Sequence, residues 1–227
     1  MRLRPVLLTV AIAFAISSAT SFGFAADDGD ISRVNKSISV EAGGSAGELD
    51  TVNGSISIGA DAVIESAETV NGSVRAADGV RAQSLGTVNG SITAGQRVAI
   101  SGDVETVNGS ITLGDDSEVL GDAETVNGGL RLAKRAHVGG RLITHNGDIT
   151  VHDDGRVDGG ILVKKVRTSW WSGKQREPVI TIGPGVQIGG AMVFERAVVL
   201  NVHQSAKIGA VQGATVNRFG GALQVER

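Results

Sequence analysis

The sequence predicts an all-β fold, a single-stranded parallel β-helix (β-solenoid) with rungs of about 18–20 residues. Three observations predict it: a six-residue word recurs at near-constant spacing, apolar and polar residues alternate with period two between its copies, and aromatic residues are too few for an ordinary globular core.

The word is Thr51-Val52-Asn53-Gly54-Ser55-Ile56, repeated at 69–74, 87–92 and 106–111 and, altered, at 125–130 and 144–149. A weaker copy, Val34-Asn35-Lys36-Ser37-Ile38, opens the series. With asparagine as marker the positions are 35, 53, 71, 89, 108, 127 and 146, steps of 18, 18, 18, 19, 19 and 19. Between markers, stretches such as Ile111-Thr112-Leu113-Gly114 alternate and break at glycine or paired aspartates, which marks short strands joined by tight turns. Rungs this short leave no room for a crossover helix, so the strands stack in parallel only by coiling, each turn about 4.8 Å from the next.

Stacking in register turns repeated residues into files along the axis. The valines 52, 70, 88, 107 and 126 and the file Ile56, Val74, Ile92, Ile111, Leu130 and Ile149 are expected to point inward and fill the core. Asn53, Asn71, Asn89, Asn108, Asn127 and Asn146 are expected at a turn, each amide bonding the next as in stacked cross-β ladders. Gly54 and its copies are expected to supply a positive φ there, so that Gly54→Val is costly at an exposed position. Thirty-three glycines beside five phenylalanines, two tryptophans and no tyrosine imply a thin core filled by Ala, Val, Ile and Leu.

Residues 1–25 read as an export signal: Arg2 and Arg4, an apolar run from Val6 to Ile16, and the small residues Gly23 and Ala25 at a cleavage site. That run is too short to span a bilayer, which takes roughly 20 residues. Residues 26–227 then form the solenoid domain, with regular Asn-Gly rungs at 34–163, an insertion containing both tryptophans at 164–178 and further rungs at 179–227. The insertion is placed by offset, because Val179–Gly189 realigns with Val199–Gly209 at 20 residues but with Ile149–Gly159 at about 31. The formal net charge is −3 with no polybasic run, which speaks against nucleic acid as a partner. No cysteine is present, so disulfides and an acylated lipobox are excluded; the expected destination is the periplasm, the cell surface or the medium.

Ile182-Gly183-Pro184-Gly185-Val186-Gln187-Ile188-Gly189 and the Thr-Val-Asn-Gly-Ser-Ile words resemble the bactofilins, polymer-forming β-helical proteins, and the β-strand-repeat proteins described as adhesins. The resemblance covers about residues 34–211 and implies a solenoid that associates end to end. Bactofilins are typically cytoplasmic or attached to the inner membrane, so an export signal marks this chain as an exported variant.

Four features are candidate sites. One turn reads Gln96-Arg97, Asp115-Asp116, Lys134-Arg135 and Asp153-Asp154 in successive rungs, either a register-fixing charge ladder or a polar groove. The file Asp50, Glu68, Gly86, Glu105 and Glu124 either splays into water or shares a hard cation such as calcium, although the nonapeptide calcium motif is absent. His145, Asp148, His152, Asp153 and Asp154 carry residue types for metal binding or acid–base chemistry, against packing beside the insertion. Trp170 and Trp171 either stack on a sugar or partner, or pack locally. The paired carboxylates in a long-loop cleft that a polysaccharide-active enzyme needs are not evident. The expectation is a non-enzymatic structural or adhesin-like module without cofactor, self-associating or binding the cell envelope, with glycan binding through Trp170-Trp171 as the alternative.

Overall fold

In the computed structural model the chain is described over residues 29–165 and 176–221, and there it is all β with no helix. The strands pair in parallel with their copies one rung away, in the register that the repeats dictate. Thr51, Thr69, Thr87, Thr106, Thr125 and Thr144 are successive Cα partners. Ile38, Ile56, Val74, Ile92, Ile111, Leu130 and Ile149 are partners on the other side of the turn. The second file belongs to a ten-stranded sheet running from Ile38–Val40 to Val216–Phe219, which gives about nine turns and a length of roughly 45 Å.

The other sheet has 16 strands and forks. In the early rungs one nine-residue strand, Ser45–Asn53 or Val63–Asn71, makes a single wall. From the next rung it divides, first into Arg81–Ala82 and Ser84–Asn89, then into Ala99–Ile100 and Val104–Asn108. The residue that lengthens the rung from 18 to 19 falls within 101–103, because Ile100 pairs with Ala82 at an offset of 18 and Val104 with Leu85 at an offset of 19; Gly102, Gly121, Gly140 and Gly159 form a file there. The Gly121, Gly140 and Gly159 amides donate to the carbonyls of Gly102, Gly121 and Gly140 at 2.9–3.0 Å. The division begins in the 18-residue rung that ends at Asn89, and the added residue of the following rungs is accommodated at that corner.

The core is aliphatic, and its inward files differ from expectation in one respect. The isoleucine file is fully buried as predicted, but Val52, Val70, Val88, Val107 and Val126 face outward and are half exposed, while the threonines before them are buried. Leu49 and Thr51, two apart on one strand, share the inner face, which sends Asp50 and Val52 out. Each threonine satisfies a carbonyl that the turn directs inward. Thr51, Thr69, Thr87, Thr106, Thr125 and Thr144 donate Oγ1–H to the carbonyls of Lys36, Gly54, Gly72, Gly90, Gly109 and Gly128 in the preceding rung, at 2.8–3.3 Å. A valine there would leave that buried carbonyl without a donor.

The glycines of the word are also used differently. None of Gly54, Gly72, Gly90, Gly109, Gly128 and Gly147 has a positive φ. Their requirement is close approach: a Cβ on Gly72, Gly90, Gly109 or Gly128 would run into the carbonyl oxygen of the glycine one rung back. Left-handed backbone instead occupies the turn after the Ile-x-Ile strand, in the file Gly43, Asp61, Gly79, Arg97, Asp116, Arg135, Asp154 and Gly185, with φ between 54° and 73°.

Candidate functional site

The asparagines form a continuous file along the exposed corner. Nδ2 of Asn53, Asn71, Asn89, Asn108, Asn127 and Asn146 donates to Oδ1 of the asparagine one rung back, at 2.8–2.9 Å. The C-terminal side of the file ends on Arg196, whose Nη1 donates to Asn146 Oδ1 at 2.6 Å and to the His145 carbonyl at 3.0 Å. Beside it, Ser37, Ser55, Ser73, Ser91 and Ser110 each accept from a backbone N–H in the following rung at 3.2–3.4 Å.

The outer face of the Thr-Val-Asn wall carries the acidic file next to the half-exposed valines. Asp50, Glu68, Gly86, Glu105, Glu124 and Ile143 are successive partners. Glu105 and Glu124 do not splay into water: they are 8% and 5% exposed. Lys164 resolves one of them, its Nζ donating to Glu124 Oε1 at 2.7 Å from two rungs away. Glu105 has no hydrogen-bond partner among the described residues. Burial, followed by the negative charges of Asp103, Glu124, Glu68 and Asp122, pushes its carboxyl up to about 7. Burial and Asp50 likewise raise Glu68, and burial and Asp30 raise Asp50. At pH 7 Glu105 is therefore about half protonated.

The histidine and aspartate cluster of the seventh rung is dispersed by the fold. His145 takes the outward valine position, where burial and the Lys164 cation hold its pKa down and its buried Nδ1 has no hydrogen-bond partner among the described residues. His152 lies across the rung, its Nε2 2.9 Å from Arg131 Nη1, and burial together with Arg131 lowers it. Asp148 closes the base of the insertion, accepting from Val179 N and Arg176 Nη2, each at 2.8 Å. Asp153 is 3.4 Å from Lys134, and Asp154 sits in the left-handed turn. Among the described residues no group of three His, Cys, Asp or Glu side chains has metal-binding geometry. Trp170 and Trp171 lie outside the described residues.

The alternating charges do meet along one turn: Arg135 binds Asp116 through two 2.6 Å hydrogen bonds, and Lys134 reaches Asp153. Sequence reasoning missed a histidine relay on the third wall, where Glu118, His137 and Arg156 stack as strand partners. His137 Nδ1 lies 2.9 Å from Glu118 Oε1 and Nε2 lies 3.0 Å from Asp158 Oδ2, while Arg156 holds the other Asp158 oxygen at 2.6 Å. Burial works against the imidazolium, but the hydrogen bonds to Asp158 and Glu118 outweigh it and raise the His137 pKa. The signal was the 19-residue offset itself, which aligns 118 with 137. At the fork, an open groove of about 430 Å³ runs past Val63, Arg81, Gln83, Ala99 and Leu120, with Val63 44% and Leu120 54% exposed.

Every polar file described here runs along the coil axis. The arrangement fixes register and presents flat, periodic faces. Comparison with known proteins finds no matching family model, no matching curated protein and no matching solved structure.

Proposed function

We propose that this chain is an exported, non-enzymatic structural solenoid of the periplasm or cell surface that associates through its N-terminal rung. The observation that carries this reading is the edge at that end, which is unpaired among the described residues. Ile38–Val40 is the terminal strand of the ten-stranded sheet, and the alternation of a parallel ladder turns the Ser39 N–H and C=O away from the next strand. Asn35, first in the corner file, accepts from Asn53 and has no acceptor for its own Nδ2 among the described residues. The opposite end is better closed: Arg218 Nη1 donates to the carbonyls of His203 and Ala206, and Phe219 packs edge-on against His203 with ring centroids 5.2 Å apart. An unpaired edge recruits another strand unless something blocks it.

Light scattering after size-exclusion chromatography, with electron microscopy of the mature chain, tests the proposal. A concentration-dependent dimer or filament is expected. Ser39→Pro removes the outward donor while sparing the pairing to Ile56–Ile58, so it should return the protein to monomer with its unfolding midpoint nearly unchanged. A wild-type chain that stays monomeric at high concentration refutes it.

A second reading, glycan binding through Trp170-Trp171, is favoured by the cations at the base of the insertion, where Lys164, Arg176 and Arg196 converge on Glu124, Asp148 and Asn146. Replacing both tryptophans with alanine separates the readings: envelope binding that survives the change excludes the second.

A further inference from the structure

The corner contains all six Asn-Gly dipeptides of the sequence, at Asn53, Asn71, Asn89, Asn108, Asn127 and Asn146. Asn-Gly is chemically labile, because a glycine nitrogen carries no neighbouring side chain to obstruct its approach to the asparagine side chain. In the reaction the Gly backbone nitrogen gives up its proton and bonds to Asn Cγ. The bond from Cγ to the side-chain nitrogen breaks, and ammonia leaves. Water then opens the resulting succinimide to aspartate or isoaspartate, so that overall water is consumed and ammonia released.

Both side-chain amide atoms are restrained at each of the six sites. Asn53 donates to Asn35 and accepts from Asn71, and the same two-sided bonding continues through Asn127. Asn146 donates to Asn127 and accepts from Arg196. Every asparagine followed by glycine thus has both amide atoms engaged. The open end of the file falls on Asn35, which is followed by Lys36. At one of the six pairs the nucleophile is engaged too, Gly90 N donating to the Asn108 carbonyl at 3.1 Å. Closing the five-membered ring requires the side-chain amide, and at Asn89 the Gly90 nitrogen as well, to leave these bonds.

We propose that the six Asn-Gly pairs are latent deamidation sites, held silent in the folded coil by the asparagine file and released when a rung opens. The conversion is self-limiting for the fold. An aspartate in the file accepts but does not donate, so its oxygen faces the Oδ1 of the rung before it. Isoaspartate also adds a backbone atom and shifts the register. Chains that stay unfolded accumulate lesions that block re-stacking, which gives the protein a finite unfolded lifetime independent of its partners.

Peptide mapping by mass spectrometry of the full chain, incubated at mildly alkaline pH either folded or in urea, tests this. Conversion at all six sites is expected in urea, and in the folded chain it should be slower by more than about tenfold because reaction waits on local opening. Equal rates in the two states overturn the proposal. Arg196→Ala frees Asn146 Oδ1, and in the folded variant Asn146 should convert faster than Asn89, deep in the file. Asn127→Ala is an independent break that frees Asn108 Oδ1 and Asn146 Nδ2, and it should sensitise those two and spare Asn71. If in both variants, with circular dichroism unchanged, the neighbours of the break stay as silent as Asn71 and Asn89, the file is not what protects them.

Discussion

Exchanging chemistry between the buried threonine file and the half-exposed valine file tests which of two adjacent residues faces the core. Thr106 is 1% exposed and its hydroxyl donates to the Gly90 carbonyl at 2.9 Å. Thr106→Val keeps the shape, removes that donor and leaves a carbonyl buried at the corner, a loss of about 1–3 kcal/mol. The added methyl returns about 0.8 kcal/mol on burial, so a net destabilisation of about 0.2–2 kcal/mol is expected. Val107→Thr lies on the outer face and should cost less than about 0.5 kcal/mol. Urea unfolding followed by circular dichroism gives the order of the two. Repeat arrays need not unfold in one step, so hydrogen exchange of the amides around Gly90 and Gly109 should be read alongside, where only Thr106→Val should lose protection. A Val107→Thr variant less stable than Thr106→Val would show that the inner face has been misassigned.

Three further outcomes are expected. Gly109→Ala places a Cβ against the Gly90 carbonyl and should cost about 3 kcal/mol, at the upper end of overpacking, with thermal denaturation as the measure. Arg97→Gly relieves a left-handed non-glycine backbone at φ 54°, where the only side-chain hydrogen bond among the described residues is 3.4 Å to Gln96; the strain relieved, about 1 kcal/mol or more, outweighs the added chain entropy, and the melting temperature should rise. Glu105, held protonated to about 7 in the fold against 4.5 unfolded, binds more protons folded than unfolded, so stability should fall as pH rises from about 4.5 to about 7 and level off above. Glu105→Gln should flatten that slope and raise stability at alkaline pH. The raised His137 adds a loss in the same direction as pH climbs through its own pKa, so a Glu105→Gln profile with unchanged slope below pH 7 refutes the assignment.

Much was legible in the sequence because a solenoid is nearly one-dimensional. The spacing of Asn35 through Asn146 set rung length and register, and with them the isoleucine file and the asparagine file, since equivalent residues can only lie over one another. The offset of about 31 residues between Ile149 and Ile180 located the insertion, and those two residues are strand partners. What spacing leaves open is the phase of each side chain at a corner. Thr-Val alternation permits either residue to face in, and the choice fell to the carbonyl of the previous rung, a group contributed by residues 15 or 16 positions earlier that only the threonine hydroxyl can satisfy. The same corner decided that Gly54 and its copies serve close approach, with the positive φ moved to the turn containing Arg97 and Asp116.

Pairing across two rungs was equally out of reach of a pattern reading. Lys164 on Glu124 and Arg196 on Asn146 join residues 40 and 50 positions apart, and nothing in a single repeat encodes them. The sequence alone determined the axial order of this protein, because each rung must lie over its copy to pair its backbone. The tertiary structure alone decided what each corner does with its polar groups, because a buried carbonyl or carboxylate is satisfied by whichever donor the coil brings near, at a sequence distance that no repeat specifies.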